Sequence, residues 1–285
     1  MTFSGQTRPK SKHRAQVTTV EGTCVTNRSD LLATEEPLEL RLGAGGKQET
    51  IAVTMRTPGA DFELAAGFLY NEGIIASRDD LSQISYCTEA EQHYNTVKVT
   101  LRRSTLPELA RLERHFTTTS ACGVCGKASL ESLELAACAL PNTDMRVTPA
   151  LLTALPDKLR QAQGLFDATG GLHAAALFTQ DGNLVALRED VGRHNALDKL
   201  VGWALLEGLL PLRDHVLLLS GRASFELLQK SLMAGISIVC AVSAPSSLAV
   251  SVAQRFNLTL VGFLRGERFN IYSGAERIAL PASVR

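Results

Sequence analysis

From residue 215 onward the chain repeats one pattern: an unbroken apolar run, a turn of small residues, then a helical stretch. His215-Val216-Leu217-Leu218-Leu219 leads through Ser220-Gly221-Arg222-Ala223 into a helical period at Phe225, Leu227, Leu228 and Leu232. Ser224 is its expected cap and Gly235 its stop. Ile236 to Val242 is the next apolar run, and Ser243-Ala244-Pro245-Ser246-Ser247 turns into a helix from Leu248 to Phe256. Leu258 to Phe263 is the run after that. Unbroken runs mark strands covered on both faces, and strand–helix alternation at this spacing calls for a parallel sheet. Its crossovers should be right-handed. The expectation for residues 149–285 is an α/β domain with a mostly parallel sheet.

The first half reads differently. Leu38 to Leu42 alternates as a half-buried strand, Gly43-Ala44-Gly45-Gly46 reads as a turn, and Glu49 to Met55 returns as the second arm of a hairpin. Pro58-Gly59 breaks the pattern. Asp61 is placed to cap a helix through Phe62, Leu64, Ala65, Phe68 and Leu69 that Gly73 closes, and Asn95 to Leu101 alternates again. Residues 17–148 are therefore expected to form a smaller α+β domain, preceded by a disordered tail over 1–16. That tail carries Arg8, Lys10, Lys12, His13 and Arg14 with no apolar segment, so it does not read as a secretory signal. No run reaches the roughly 18 apolar residues of a spanning helix. The 29 basic and 29 acidic residues balance, so nothing draws the chain as a whole to nucleic acid or an anionic membrane. A cytoplasmic protein is expected.

Open α/β sheets bind ligands beyond the carboxyl ends of their strands, where helix starts offer free N–H groups to anions. That edge should collect Ser220, Gly221 and Arg222, then Ala244 to Ser247, then Phe263, Leu264, Arg265, Gly266, Glu267 and Arg268. Small-residue turns with arginine forks suit a pyrophosphate; they also suit ordinary strand–helix turns with solvated arginines. His173, after two glycines, fits either a ligand pocket or a polar niche. Asp190-Val191-Gly192-Arg193-His194-Asn195 fits either a second wall of that pocket or a capped helix start. Neither a P-loop nor a G-x-G-x-x-G fingerprint is present.

Six cysteines are spread along the chain. A core of this size needs no disulfide scaffold, and Cys24, Cys87, Cys138 and Cys240 read as structural, buried thiols. Cys122-Gly123-Val124-Cys125-Gly126-Lys127 is different, because flanking glycines, Lys127 and a following helix start all favour exposed thiolate. Four readings compete on spacing alone. Structural zinc needs four ligands and this motif supplies two. A thioredoxin-type pair belongs just after an early strand of a βαβ unit. Inert buried cysteines remain, as does transfer of sulfane sulfur through a persulfide.

The wider sequence resembles one family. Cys122 to Lys127, Arg56-Thr57-Pro58-Gly59 with Asp61 to Gly73, Thr169-Gly170-Gly171-Leu172-His173, Glu189 to Ala196 and Arg268-Phe269-Asn270-Ile271-Tyr272 are similar, in order, to the FdhD family of formate dehydrogenase accessory sulfurtransferases. The resemblance implies a sulfur carrier that takes sulfur from a cysteine desulfurase as a persulfide. It would pass that sulfur to the bis-molybdopterin guanine dinucleotide cofactor of formate dehydrogenase. It implies Cys122 as the persulfide cysteine with Cys125 in support, cofactor binding at Phe263 to Arg268, a cytidine-deaminase-like C-terminal fold and a homodimer. Deaminase chemistry itself is not expected: no histidine has glutamate two residues on, and Ala121 rather than proline precedes Cys122. The alternative reading is a non-enzymatic chaperone that binds and guards the molybdenum cofactor.

Overall fold

The computed structural model describes residues 9–87, 93–107 and 144–281. Cys122, Cys125 and Cys138 lie outside the described residues.

An antiparallel hairpin comes first, β1 (Lys12–Glu21) with β2 (Cys24–Ala33). Lys12 to Gln16, expected within a disordered tail over 1–16, pair instead with Ala33 to Ser29. Gly22, at φ 60, opens the two-residue turn between the strands. β-Branched Thr18, Thr19, Val20, Val25 and Thr26 flank it, which suits a tight hairpin.

β3 (Glu36–Ala44) and β4 (Lys47–Arg56) form the expected second hairpin. Its turn is only Gly45-Gly46, both at positive φ, because Ala44 already pairs with Lys47. With β5 (Leu81–Tyr86) and β6 (Thr96–Leu101) they make a sheet in the order β4-β3-β6-β5. There β3 and β6 are parallel and the other pairs antiparallel. Helix α1 (Asp61–Asn71) lays Leu64, Ala65 and Leu69 on Leu38, Leu40, Leu42, Val97 and Val99 of that sheet. Asp61 is not its cap: Ala60, at φ 55, holds that position, and Arg56 and Tyr86 take the Asp61 carboxylate.

The second half runs α2 (Pro149–Ala162), α3 (Gly164–Thr169), β7 (His173–Thr179), β8 (Leu184–Asp190), α4 (Arg193–Leu206) and β9 (His215–Leu219). It continues through α5 (Phe225–Met233), β10 (Ile238–Ala241), α6 (Ser247–Arg255), β11 (Thr259–Arg265) and β12 (Arg268–Ser273). Its sheet has the order β12-β11-β10-β9-β7-β8. Only β9/β10 and β10/β11 pair in parallel; β7/β8, β7/β9 and β11/β12 are antiparallel. The mostly parallel sheet is thus a mixed one. Gly266-Glu267 and the short link between β7 and β8 leave no room for the dozen or so residues of a parallel crossover.

Side chains alternate between two helical layers. Leu177, Leu217, Leu219, Val239 and Leu260 face α4, α5 and α6, whereas Phe178, Val216, Leu218, Ile238, Cys240 and Leu264 face α2. The halves join where α1 crosses α4. A Cβ added at Gly67 would lie 1.9 Å from the Asp198 carbonyl oxygen, and one at Gly202 1.8 Å from that of Glu63. Only glycine lets the two backbones meet so closely. Among the described residues, no helix is long and apolar enough to cross a membrane.

Candidate functional site

The pairing directions place the carboxyl ends of β8, β9, β10 and β11 along one edge, together with the start of β7. The residues singled out from the described sequence gather there, but they do not all face outward.

The Ser220 hydroxyl accepts a 2.8 Å hydrogen bond from the Ala174 N–H, so it pins the end of β9 to β7. His173 lies over Gly221, whose missing Cβ would sit 3.3 Å from His173 Nδ1. Ser243 N donates to the Gly221 carbonyl and Ser246 N to that of Ala223, which zips the turns after β9 and β10 together. Arg222 is exposed. Ser224 stands at the start of α5 but makes no side-chain cap. Its Oγ instead lies 3.4 Å from His194 Nε2, which is also 3.5 Å from Glu226 Oε2. That hydrogen bond from His194 holds the Glu226 carboxyl at about 2, against the opposing pull of burial. Burial, then the charges of Arg193 and His194, press the His173 pKa below its ordinary value, with Asp190 opposing them.

At the other end of the edge, Arg265 Nε donates to the Val242 carbonyl at 2.9 Å. Phe263, Arg265, Arg268 and Asn270 line an open cleft of about 370 Å³. Phe263, at φ 54, sits where the β11/β12 register breaks, and it is 40% exposed. A bulge of this kind re-aims side chains at the rim of a sheet. Gly266 and Glu267 form the exposed tip. Leu264 is fully buried in the α2-side core, so only its backbone is available to a ligand.

Beneath this edge lies a network that sequence reasoning missed. The Asp190 carboxylate pairs with Lys199 at 2.6 Å and accepts from Thr57 N, Gly192 N and Asn195 Nδ2. Lys199 also donates to the Thr57 carbonyl at 2.8 Å, and Val191 N to Thr57 Oγ1 at 3.2 Å. Arg56, fully buried, is held by Asp61. Arg56-Thr57 thereby fixes the first half of the molecule to the start of α4. The available signal was Lys199 itself, a cation next to Leu200 in a helix rich in apolar residues, which needs a partner when buried.

The remaining described cysteines differ in exposure. Cys24 is exposed on the first hairpin, contrary to its expected burial, because it sits beside the Gly22 turn with no layer over it. Cys87 is buried, and burial pushes the Cys240 thiol up to about 12, so Cys240 is inert near neutral pH.

The model of the FdhD/NarQ family matches residues 33–279. The chain belongs to this family. It is 55% identical over 279 residues to the sulfur carrier protein FdhD of Streptomyces coelicolor, covering 95% of this chain and 97% of that one. The protein of the same name from Mycobacterium tuberculosis is 51% identical over 262 residues, covering 89% and 94%. A solved structure described as a formate dehydrogenase accessory protein from Desulfotalea psychrophila superposes with a TM-score of 0.72 at 25% identity. It covers 94% of this chain and 99% of that chain. The family match begins at Ala33, the last residue of β2, so nearly all of the first hairpin lies outside it.

Proposed function

We propose that this chain is a cytoplasmic sulfur carrier that matures formate dehydrogenase, with Cys122 as the carrying residue and Cys125 assisting it. The reading rests on the relatives named sulfur carrier protein FdhD. In the first step the Cys122 thiolate attacks the terminal sulfur of a cysteine desulfurase persulfide. A new S–S bond forms at Cys122, and the desulfurase cysteine leaves as thiolate. The S–S bond at Cys122 then breaks: the outer sulfur goes to a bis-molybdopterin guanine dinucleotide cofactor, the substrate of the transfer, whose reduced molybdenum supplies the two electrons that turn sulfane sulfur into sulfide, and Cys122 leaves as thiolate.

In this reading the C-terminal half is a cytidine-deaminase-type scaffold whose strand ends hold a nucleotide, and the working form is a homodimer. Arg265 and Arg268 offer planar forks to phosphate oxygens, and exposed Phe263 offers a face to a base. Incubation with a desulfurase and cysteine should make Cys122, mapped by peptide mass spectrometry, heavier by about one sulfur atom. Cys122→Ala should abolish that gain and leave formate dehydrogenase inactive. Full maturation by Cys122→Ala, with Arg265→Gln/Arg268→Gln inactive, would instead favour a cofactor-guarding chaperone.

A further inference from the structure

The first hairpin stands apart from the buried cores, and no residue of β1 or β2 joins the apolar clusters of either half. β2 packs on α3, and Asp30, Leu31 and Ala33 at its root are half-buried, whereas 24–29 are exposed. Val20 and Val25 face each other near the tip, 65% and 64% exposed. A ribbon of two strands with no covered face is marginal in water.

Among the described residues β1 pairs only with β2, so its other edge is open. Edge strands are commonly guarded by a proline, a bulge, short length or charge. β1 runs for ten residues without proline and keeps register with β2 throughout. Its cations Lys12 and Arg14 sit at the root, and Ala15 to Val20 carry no charge. Gly22 opens a two-residue turn, and the geometry of such a turn makes its closing pair, Glu21 and Cys24, a hydrogen-bonded one. Alternation from that pair turns the backbone N–H and C=O groups of Arg14, Gln16, Thr18 and Val20 outward. β1 therefore offers an unguarded ladder along most of its length.

We infer that the outer edge of β1 is a docking surface for the same edge of a second copy of this chain. The two strands would run antiparallel about a twofold axis at Val17 and close one continuous sheet, β2-β1-β1-β2. Such an interface is isologous, so the edge must be complementary to itself. The sequence meets that demand. Val17 faces the partner's Val17, Gln16 the partner's Thr18, Ala15 the partner's Thr19, Arg14 the partner's Val20 and His13 the partner's Glu21. Aliphatic meets aliphatic, amide meets hydroxyl, imidazole meets carboxylate, and the Arg14 stem lies along a valine. No like charges are opposed. Moving the axis to Gln16 or Thr18 takes Glu21 away from His13, so this register is the preferred one. The outward groups also fit, because Gln16 and Thr18 then form hydrogen-bonded pairs and Val17 the non-hydrogen-bonded pair at the axis. The family match begins at Ala33, so the surface belongs to this chain's own hairpin. The inference deepens the function proposed above and rests on its homodimer.

The test uses the full-length chain carrying Cys24→Ser, so that the exposed hairpin thiol does not compete, with Val17→Cys added. Facing residues of a non-hydrogen-bonded pair have Cα atoms about 4.5 Å apart, within the span of a disulfide. Mild oxidation should therefore give a covalent dimer, with peptide mass spectrometry placing the link at position 17 of both copies. Thr19→Cys in the same background is the control. It lies on the same face, but its two copies are offset by about 14 Å along the strands and should not link. Thr18→Pro removes an outward N–H without touching the β1/β2 ladder. It should weaken self-association of the otherwise native chain by about tenfold or more in analytical ultracentrifugation. Should the proline disturb the hairpin, the cysteine pair still decides the matter. No link from Val17→Cys, or an equal link from Thr19→Cys, overturns the edge. In either case a chain that still sediments as a dimer leaves the homodimer standing on another surface. A native chain that stays monomeric at every concentration overturns both. Persulfide formation on Cys122, read on the same preparations, tests the carrier reading separately.

Discussion

Asp190 ties residues from both halves of the protein to one carboxylate. It is fully buried, balances Lys199, and accepts from Thr57 N, Gly192 N and Asn195 Nδ2. A buried ion pair adds little net stability over a well-packed apolar pair, but losing one partner strands the other charge. Lys199→Met should therefore lower unfolding free energy by about 3–5 kcal/mol. Equilibrium urea denaturation followed by the fluorescence of Trp203, on the same helix, would measure it. Adding Asp190→Leu should not restore stability, since the Thr57 and Gly192 N–H groups would then lose their acceptor. Recovery in the double variant would mean the pair acts through charge alone. Beforehand only Lys199 signalled that a partner was needed, not which one. Thr57 and Asp190 are 133 residues apart, and only the folded chain brings them together.

At the scale of elements, the crossing of α1 and α4 carries the joint between the two sheets. Gly67 and Gly202 each face the other helix's backbone at a distance where no Cβ fits. Either Gly67→Ala or Gly202→Ala should cost at least about 2 kcal/mol, because the obstacle is backbone that cannot rotate away. The two losses should not add in the double variant, since one displacement of the helices relieves both clashes. Thermal unfolding of the three variants checks this. The central alternation β9-α5-β10-α6-β11 was readable because unbroken apolar runs and helical periods are both local signals. β7 and β12 were not readable. His173-Ala174-Ala175-Ala176-Leu177 suits a helix as well as a strand, and β12 is only partly covered along its length. Those strands owe their form to a neighbour in the sheet, and that neighbour decided the antiparallel edges. The candidate site was legible where it follows from strand ends, as at Gly221 and Arg265. Leu264 was misplaced because a bulge fixes which side chains turn outward.

Over the whole molecule, the two sheets share more than a covalent link. Asn71 of α1 donates to Asp198, which pairs with Lys230 of α5 at 2.6 Å. Arg188 of β8 pairs with Glu63 of α1, and its Nη2 donates to Glu63 Oε1 at 2.8 Å. Leu205 of α4 belongs to the core of the first sheet. These contacts run from α1 to α4, α5 and β8, so neither half can open without stranding buried charge in the other. Autonomous domains separate where few contacts cross between them, and here the crossing contacts are buried polar groups that cost most when broken singly. The described body should therefore melt in one cooperative step, with calorimetric and van't Hoff enthalpies that agree. Two resolved transitions would show the halves to be independent. Lys230→Met, by leaving Asp198 unpaired, should lower the single transition rather than split it.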